Sequence, residues 1–169
     1  MTTTDERTDF LNALEKHRGF LRQTLNGITD EDAGKRTTVS ELCLGGILKH
    51  VTQVELRWVD FIERGPEAMR GGFDPEALQA HLDTFRMLEG DTVPDLLERY
   101  DEAAAHTADV VNDLPSLDLA HPLPEAPWFE QGVSWSARRV LLHILAESAQ
   151  HAGHADIIRE TLDGAKTMG

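Results

Sequence analysis

The sequence predicts an all-α protein, a four-helix bundle carrying one extra short helix. Three observations predict it. Apolar residues recur with a 3.6-residue period in every long segment. No run alternates apolar and polar residues as a half-buried strand does. Cap and stop residues divide the chain into four long helical segments, and one connection between them is long and rich in proline.

Helix one is expected from about Thr4 to Asn26, with Phe10, Leu14, Leu21 and Leu25 as its apolar stripe and Ile28 just beyond. Helix two is expected from about Ser40 to Arg64. Ser40 is its expected N-cap and Gly65-Pro66 its stop. Its stripe is Leu44, Ile47, Val51, Val54, Trp58 and Phe61. A glycine-rich link, Gly65 to Pro75, leads to a short helix from about Pro75 to Leu88. Helix three starts near Thr92-Val93-Pro94, with the proline where a first turn tolerates it, and reaches about Leu114. The segment from Pro115 to Gly132 holds four prolines and the pair Trp128-Phe129. A connection of that length often serves as a pocket wall or lid. Helix four is expected from about Ser134 to Leu162, ending at Gly164.

The chain has no internal repeat and reads as one bundle domain over residues 1–169, long enough for a real core. Its net charge of −14 argues against nucleic acid and anionic membrane surfaces as partners. The single cysteine, Cys43, rules out an intramolecular disulfide. No apolar run approaches the ~18 residues of a membrane span. The N-terminus lacks a basic segment followed by an apolar one, so no signal peptide is expected and the expected location is cytoplasmic.

The chemistry concentrates in the run His143-Ile-Leu-Ala-Glu147-Ser-Ala-Gln-His151-Ala-Gly-His154. Spacings of four, four and three stack these side chains on one helix face. With His143 at zero, Glu147 falls near ~40°, His151 near ~80° and His154 near ~20°. Val140 and Ile158 fall near ~60°. Glu147 and His151 therefore lie inside the apolar stripe, and His143 and His154 lie at its edge. On helix two, His50 lies at the edge of the stripe formed by Ile47 and Val54. Inward faces of helices two and four can meet in a bundle, which brings His50, Glu147 and His151 together.

Burying imidazoles and a carboxylate is costly unless something pairs with them. Two imidazoles and a carboxylate suit Zn²⁺ with an open fourth position, and also Ni²⁺, Fe²⁺ or Mn²⁺. The competing reading of Glu147 and His151 is a buried acid–imidazolium pair. His17, sharing a face with Leu14 and Leu21, reads as a core histidine, and His81 and His106 as surface residues. Cys43 lies on a core stripe and reads as a small hydrophobe. Trp58, Trp128 and Trp135 suit packing. Trp58 and Trp128 are also the candidates for stacking on a cofactor, Trp128 above all because it lies in the long connection. His143 and His154 are the candidates for catalytic proton transfer.

The segment Leu42-Cys-Leu-Gly-Gly-Ile-Leu-Lys-His50-Val, taken with Trp135-Ser-Ala-Arg-Arg and Glu147-Ser-Ala-Gln-His151-Ala-Gly-His154-Ala-Asp156, resembles the DinB/YfiT-like superfamily of metal-binding four-helix bundles. Many members carry one His on helix two and a His-x-x-x-His pair on the last long helix. Glu147 stands at the first position of that pair here. This resembles the His-Glu-His variant found in the N-terminal domain of mycothiol-dependent maleylpyruvate isomerase. The resemblance implies His50, Glu147 and His151 as metal ligands, and a low-molecular-weight thiol of the mycothiol or bacillithiol type as co-substrate, bound as its thiolate. Isomerases of that branch have an additional C-terminal domain that supplies catalytic groups. This chain stops at Gly169, soon after helix four, so thiol transfer to an electrophile, as in detoxification, is expected rather than isomerisation. The alternatives are a metal-dependent hydrolase using metal-bound water and a non-catalytic metal- or ligand-binding stress protein. Exposed helix faces leave room for a homodimer.

Overall fold

A computed structural model describes residues 5–69 and 75–167. The fold is all-α. Its elements are α1 (Glu6–Leu25), a one-turn α2 (Asp30–Ala33), α3 (Leu44–Arg64) continued by a 3-10 turn (Gly65–Met69), α4 (Pro75–Asp83), α5 (Val93–Asp113), the short strands β1 (Ala120–Pro122) and β2 (Ser134–Ser136), and α6 (Ala137–Asp163). The four expected long helices are α1, α3, α5 and α6. Thr4, the expected start of helix one, and residues 70–74 of the Gly65–Pro75 link lie outside the described residues.

Local chemistry sets the helix ends. Asp5, Thr92 and Ser136 cap α1, α5 and α6, each side-chain oxygen accepting from the backbone N–H three residues on. Gly164 ends α6 in the left-handed conformation, at φ 81°. Three expected boundaries differ, the first being the end of the short helix, which stops at Asp83 rather than near Leu88. Ser40 does not cap helix two, because α3 starts at Leu44 and the Cys43 Sγ accepts from Gly46 N–H. Ser134 does not start helix four. Residues 134–136 instead form β2, antiparallel to β1, with His121 opposite Trp135.

That hairpin organises the proline-rich connection. Leu123 N–H donates to the Val133 carbonyl at 2.9 Å and closes the base of the loop that carries Trp128 and Phe129. His121 folds back under the end of α3, where it hydrogen-bonds the Ile62 carbonyl. A Cβ at Gly65 would lie 2.9 Å from the His121 ring, and φ there is +69°, so position 65 needs glycine twice over.

Around the bundle, α1 packs on α6, α6 on α3, and α3 on α5. The core has two apolar halves. One gathers Leu14, Phe61, Ile62, Val111, Leu141 and Ile144. The other gathers Leu21, Leu25, Ile47, Leu48, Val51 and Tyr100. A polar layer separates them. In it the Arg18 guanidinium pairs with the Glu55 carboxylate, which also accepts from the Thr107 hydroxyl, and all three residues are buried. Beside this layer, on α3 and α6, lies the histidine and carboxylate cluster.

Candidate metal centre

Helices α3 and α6 run antiparallel, as two ring contacts show. His50 meets His151 with centroids 4.9 Å apart, and eight residues further along α3 Trp58 meets His143 at 4.8 Å. Glu147, one turn from each of His143 and His151, comes between them. Its Oε2 lies 3.6 Å from His151 Nε2 and 3.8 Å from His50 Nε2. One ligand atom from each of the three residues lies within 4.8 Å of the others. His50 and His151 are buried, and Glu147 is about one quarter exposed at 28%.

These separations are informative. They are too long for hydrogen bonds. They approach the roughly 3.3 Å that separates two ligands each bonded at ~2.0–2.1 Å in a tetrahedral site. The imidazoles of His151 and His50, in that order, hold the Glu147 carboxyl well below the usual carboxylate range, so it is anionic.

The far sides of the two rings are also held. The Thr84 hydroxyl donates to the His81 carbonyl at 2.7 Å. Its oxygen is then left as acceptor for His50 Nδ1, a long contact of 3.5 Å. A cation bound at Nε2 would place the ring proton on Nδ1, where the Thr84 oxygen can accept it. His151 Nδ1 meets His154 Nδ1 at 3.4 Å, so its Nε2 is also the nitrogen turned toward Glu147. Phe85 stacks on His50 with centroids 4.1 Å apart and an interplanar angle of 25°.

Gly45 and Gly46 allow this cover. A Cβ at Gly46 would fall 2.0 Å from the Phe85 carbonyl oxygen, and one at Gly45 would fall 2.4 Å from Met87 Sδ. The segment from Thr84 to Met87 therefore lies directly on the first turn of α3. Thr84 and Phe85 escaped the sequence reading. The signal that points to them is Gly45-Gly46, since two glycines at the start of an amphipathic helix cost about 1 kcal/mol each against alanine and need a packing reason.

Of the other expected site residues, His143 is half-buried between Trp58 and Trp135. Burial pushes its imidazole below the ordinary histidine range. The nearby Glu147 opposes that shift and Arg139 adds to it. Trp58 is buried and stacks face to face on Trp135, at 4.8 Å and 16°. Trp128 is exposed on the loop, edge-on to Phe129. These residues line a cleft of about 750 Å³ that also touches Arg139 and His143. His17 is half-buried, edge-on to Phe20. His81 is exposed but turns its ring edge to Phe85, and His106 faces Glu63 at 3.5 Å. Cys43 is buried.

The sequence model of the mycothiol-S-transferase family matches residues 9–164. The chain belongs to that family, a DinB-like one. No curated protein matches it. Among solved structures it is similar to a conserved protein from Enterococcus faecalis, at TM-score 0.71 and 11% identity over 96% of this chain and 100% of that one. It is also similar to a protein from Streptococcus pneumoniae, at TM-score 0.61 and 14% identity over 96% of this chain and 91% of that one. At such identities the two structures speak for the bundle alone. Among the described residues, no helix is long and apolar enough to cross a membrane.

Proposed function

We propose that the protein is a metal-dependent thiol S-transferase that conjugates a low-molecular-weight thiol of the mycothiol type to an electrophile. The observation that carries this reading is the convergence of His50 Nε2, Glu147 Oε2 and His151 Nε2 on one point in a chain of the mycothiol-S-transferase family. The donor set fits a divalent cation: two neutral imidazoles, one carboxylate, and a hydrogen-bonding partner on the far nitrogen of each ring. Zn²⁺ suits it best, with Ni²⁺, Fe²⁺ and Mn²⁺ as alternatives.

His50, Glu147 and His151 would hold a divalent cation with about one positive charge left over, and that charge would lower the pKa of a thiol brought to it. The remaining work falls to the protein. Thr84 and Phe85 fix the His50 ring, and His154 fixes His151. His143, whose imidazole burial pushes below the ordinary histidine range, lines the cleft and is the residue placed to accept the thiol proton. Transfer forms a sulfur–carbon bond, the electrophile's leaving group departs with its bonding pair, and the proton ends on His143.

The test compares wild type with Glu147→Ala and His50→Ala. Metal content and conjugation of mycothiol to 1-chloro-2,4-dinitrobenzene are measured on each. The reading expects metal and conjugation to be lost together in both variants. Conjugation that survives chelation of all divalent metal would overturn it. Turnover of an ester or amide without thiol would instead favour hydrolysis by metal-bound water.

A further inference from the structure

Aromatic rings wall the cleft beside His143, with Glu130 and Arg139 among them. Trp58, Trp135, Phe129 and Trp128 supply four aromatic rings within one cavity of about 750 Å³. They come from three separate places in the fold. Trp58 sits on α3, Trp135 is on β2, and Trp128-Phe129 ride on the loop that the Leu123–Val133 hydrogen bond closes. The rings form one continuous set. Trp58 stacks on Trp135, Phe129 stands edge-on to Trp58 at 6.0 Å, and Trp128 stands edge-on to Phe129 at 6.2 Å. Trp128 is 65% exposed, so a large apolar ring is held at the mouth rather than folded into the core. Arg139 lies 4.1 Å over the Trp135 ring and places a cation on the same wall.

The cleft comes within one helical turn of the candidate metal centre along α6. His143 forms part of its wall and lies one helical turn, about 6 Å along the axis, from Glu147. Its volume falls within the ~300–1,000 Å³ usual for small-molecule sites. In the thiol-transfer reading the thiol sulfur would sit at the centre formed by His50, Glu147 and His151, which leaves a neighbouring space for the second reactant. Rings in offset or edge-on contact favour a flat π-system over a saturated chain of equal size, by ~0.5–1.5 kcal/mol for each pair. The Arg139 cation suits substituents whose oxygens accept hydrogen bonds, such as nitro or carbonyl groups.

We infer that the Trp58–Trp128–Phe129–Trp135 cleft is the electrophile subsite and that it selects planar aromatic electrophiles bearing polar substituents. This rests on the thiol-transfer reading for its chemistry but not for its test. With an aryl halide, the thiol sulfur bonds to the ring carbon, the carbon–halogen bond breaks, halide leaves with the electron pair, and His143 keeps the thiol proton.

The binding arm uses metal-free protein and unreactive probes. 2,4-Dinitrotoluene, which lacks the leaving group, is titrated by calorimetry beside nitrocyclohexane, a saturated ring of similar size. Wild type is expected to bind the aromatic probe at least tenfold more tightly. Trp128→Ala and Trp135→Leu are each expected to weaken it by roughly 3- to 10-fold, the equivalent of one or two aromatic contacts. Trp128 is exposed, so its variant remains folded even where the Trp135 variant does not. In the activity arm, Trp128→Ala raises KM for 1-chloro-2,4-dinitrobenzene by a larger factor than KM for iodoacetamide. Equal binding of the two probes, or unchanged aromatic binding in Trp128→Ala, overturns the inference and leaves thiol transfer standing. Absence of metal-dependent conjugation with either electrophile sinks thiol transfer, while preferential aromatic binding still supports the cleft assignment.

Discussion

Replacing Gly46 by alanine puts a methyl group where the Phe85 backbone already lies. The new Cβ would be 2.0 Å from the Phe85 carbonyl oxygen, 2.3 Å from its carbonyl carbon and 2.7 Å from Arg86 N. Ordinary contact requires the chain to retreat by about 1.4 Å. All three atoms are main chain, so no side chain can rotate away. Overpacking of this kind costs up to ~3 kcal/mol, and the better helix propensity of alanine returns ~1. The net loss is therefore about 2 kcal/mol, or roughly 4–8 °C in Tm for a chain of this size. The same displacement lifts Thr84 from His50 Nδ1 and Phe85 from the His50 ring. Loss of such outer partners typically lowers metal affinity by ~10–100-fold. Thermal melts followed by circular dichroism and zinc titration by calorimetry read both effects. Gly19→Ala is the control. It lies within α1 with nothing within 4 Å of its Cβ, and should stabilise by ~0.5–1 kcal/mol. A Gly46→Ala protein that melts with wild type and binds zinc equally well would refute this account of the glycine pair.

Other expectations follow from the polar layer and from His143. Glu55→Ala removes the buried partner of the Arg18 guanidinium, leaving only the exposed Glu15 at 3.8 Å, and should cost about 3–5 kcal/mol in urea unfolding. A loss below ~1 kcal/mol would mean that the pair is not buried in solution. Thr107→Val removes one donor from Glu55 at nearly constant shape and should cost about 1–2 kcal/mol by the same measurement. Folding lowers the His143 pKa, so the stability that its neutral form contributes is complete above the unfolded value of about 6.5 and declines as pH falls through the folded value. Melts of metal-free wild type and His143→Gln between about pH 8 and 5 should therefore diverge from their neutral-pH offset on the acid side, with wild type losing more. Parallel curves would contradict the shift.

Periodicity made the bundle and its centre legible. A 3.6-residue repeat places every inward residue of a helix at once, so His50, Glu147 and His151 emerged from the same angles that located Val54 and Ile158. What lies between helices was harder to read. The cap of α3 fell to Cys43 although Ser40 is the better capping residue, because a cap depends on where the chain enters the helix and Cys43 is anchored in the core. The three-residue strands β1 and β2 are too short for alternation to register, so the hairpin that places Trp135 beside Trp58 was hidden inside a proline-rich connection. Arg18 and Glu55 lie 37 residues apart on different helices, and no local pattern joins an inward arginine to its partner. Thr84 and Phe85 reach His50 only because Gly45 and Gly46 let their segment approach, a contact visible in sequence as an unexplained pair of glycines.

The central claim is that one divalent cation, held by His50, Glu147 and His151, activates the thiol. The most direct measurement titrates zinc into metal-free protein while following mycothiol conjugation to 1-chloro-2,4-dinitrobenzene. The account predicts a rate that rises in proportion to zinc, levels off at one equivalent and stays at background throughout in Glu147→Gln. A rate that ignores zinc, or a Glu147→Gln protein that follows the wild-type curve, would contradict it.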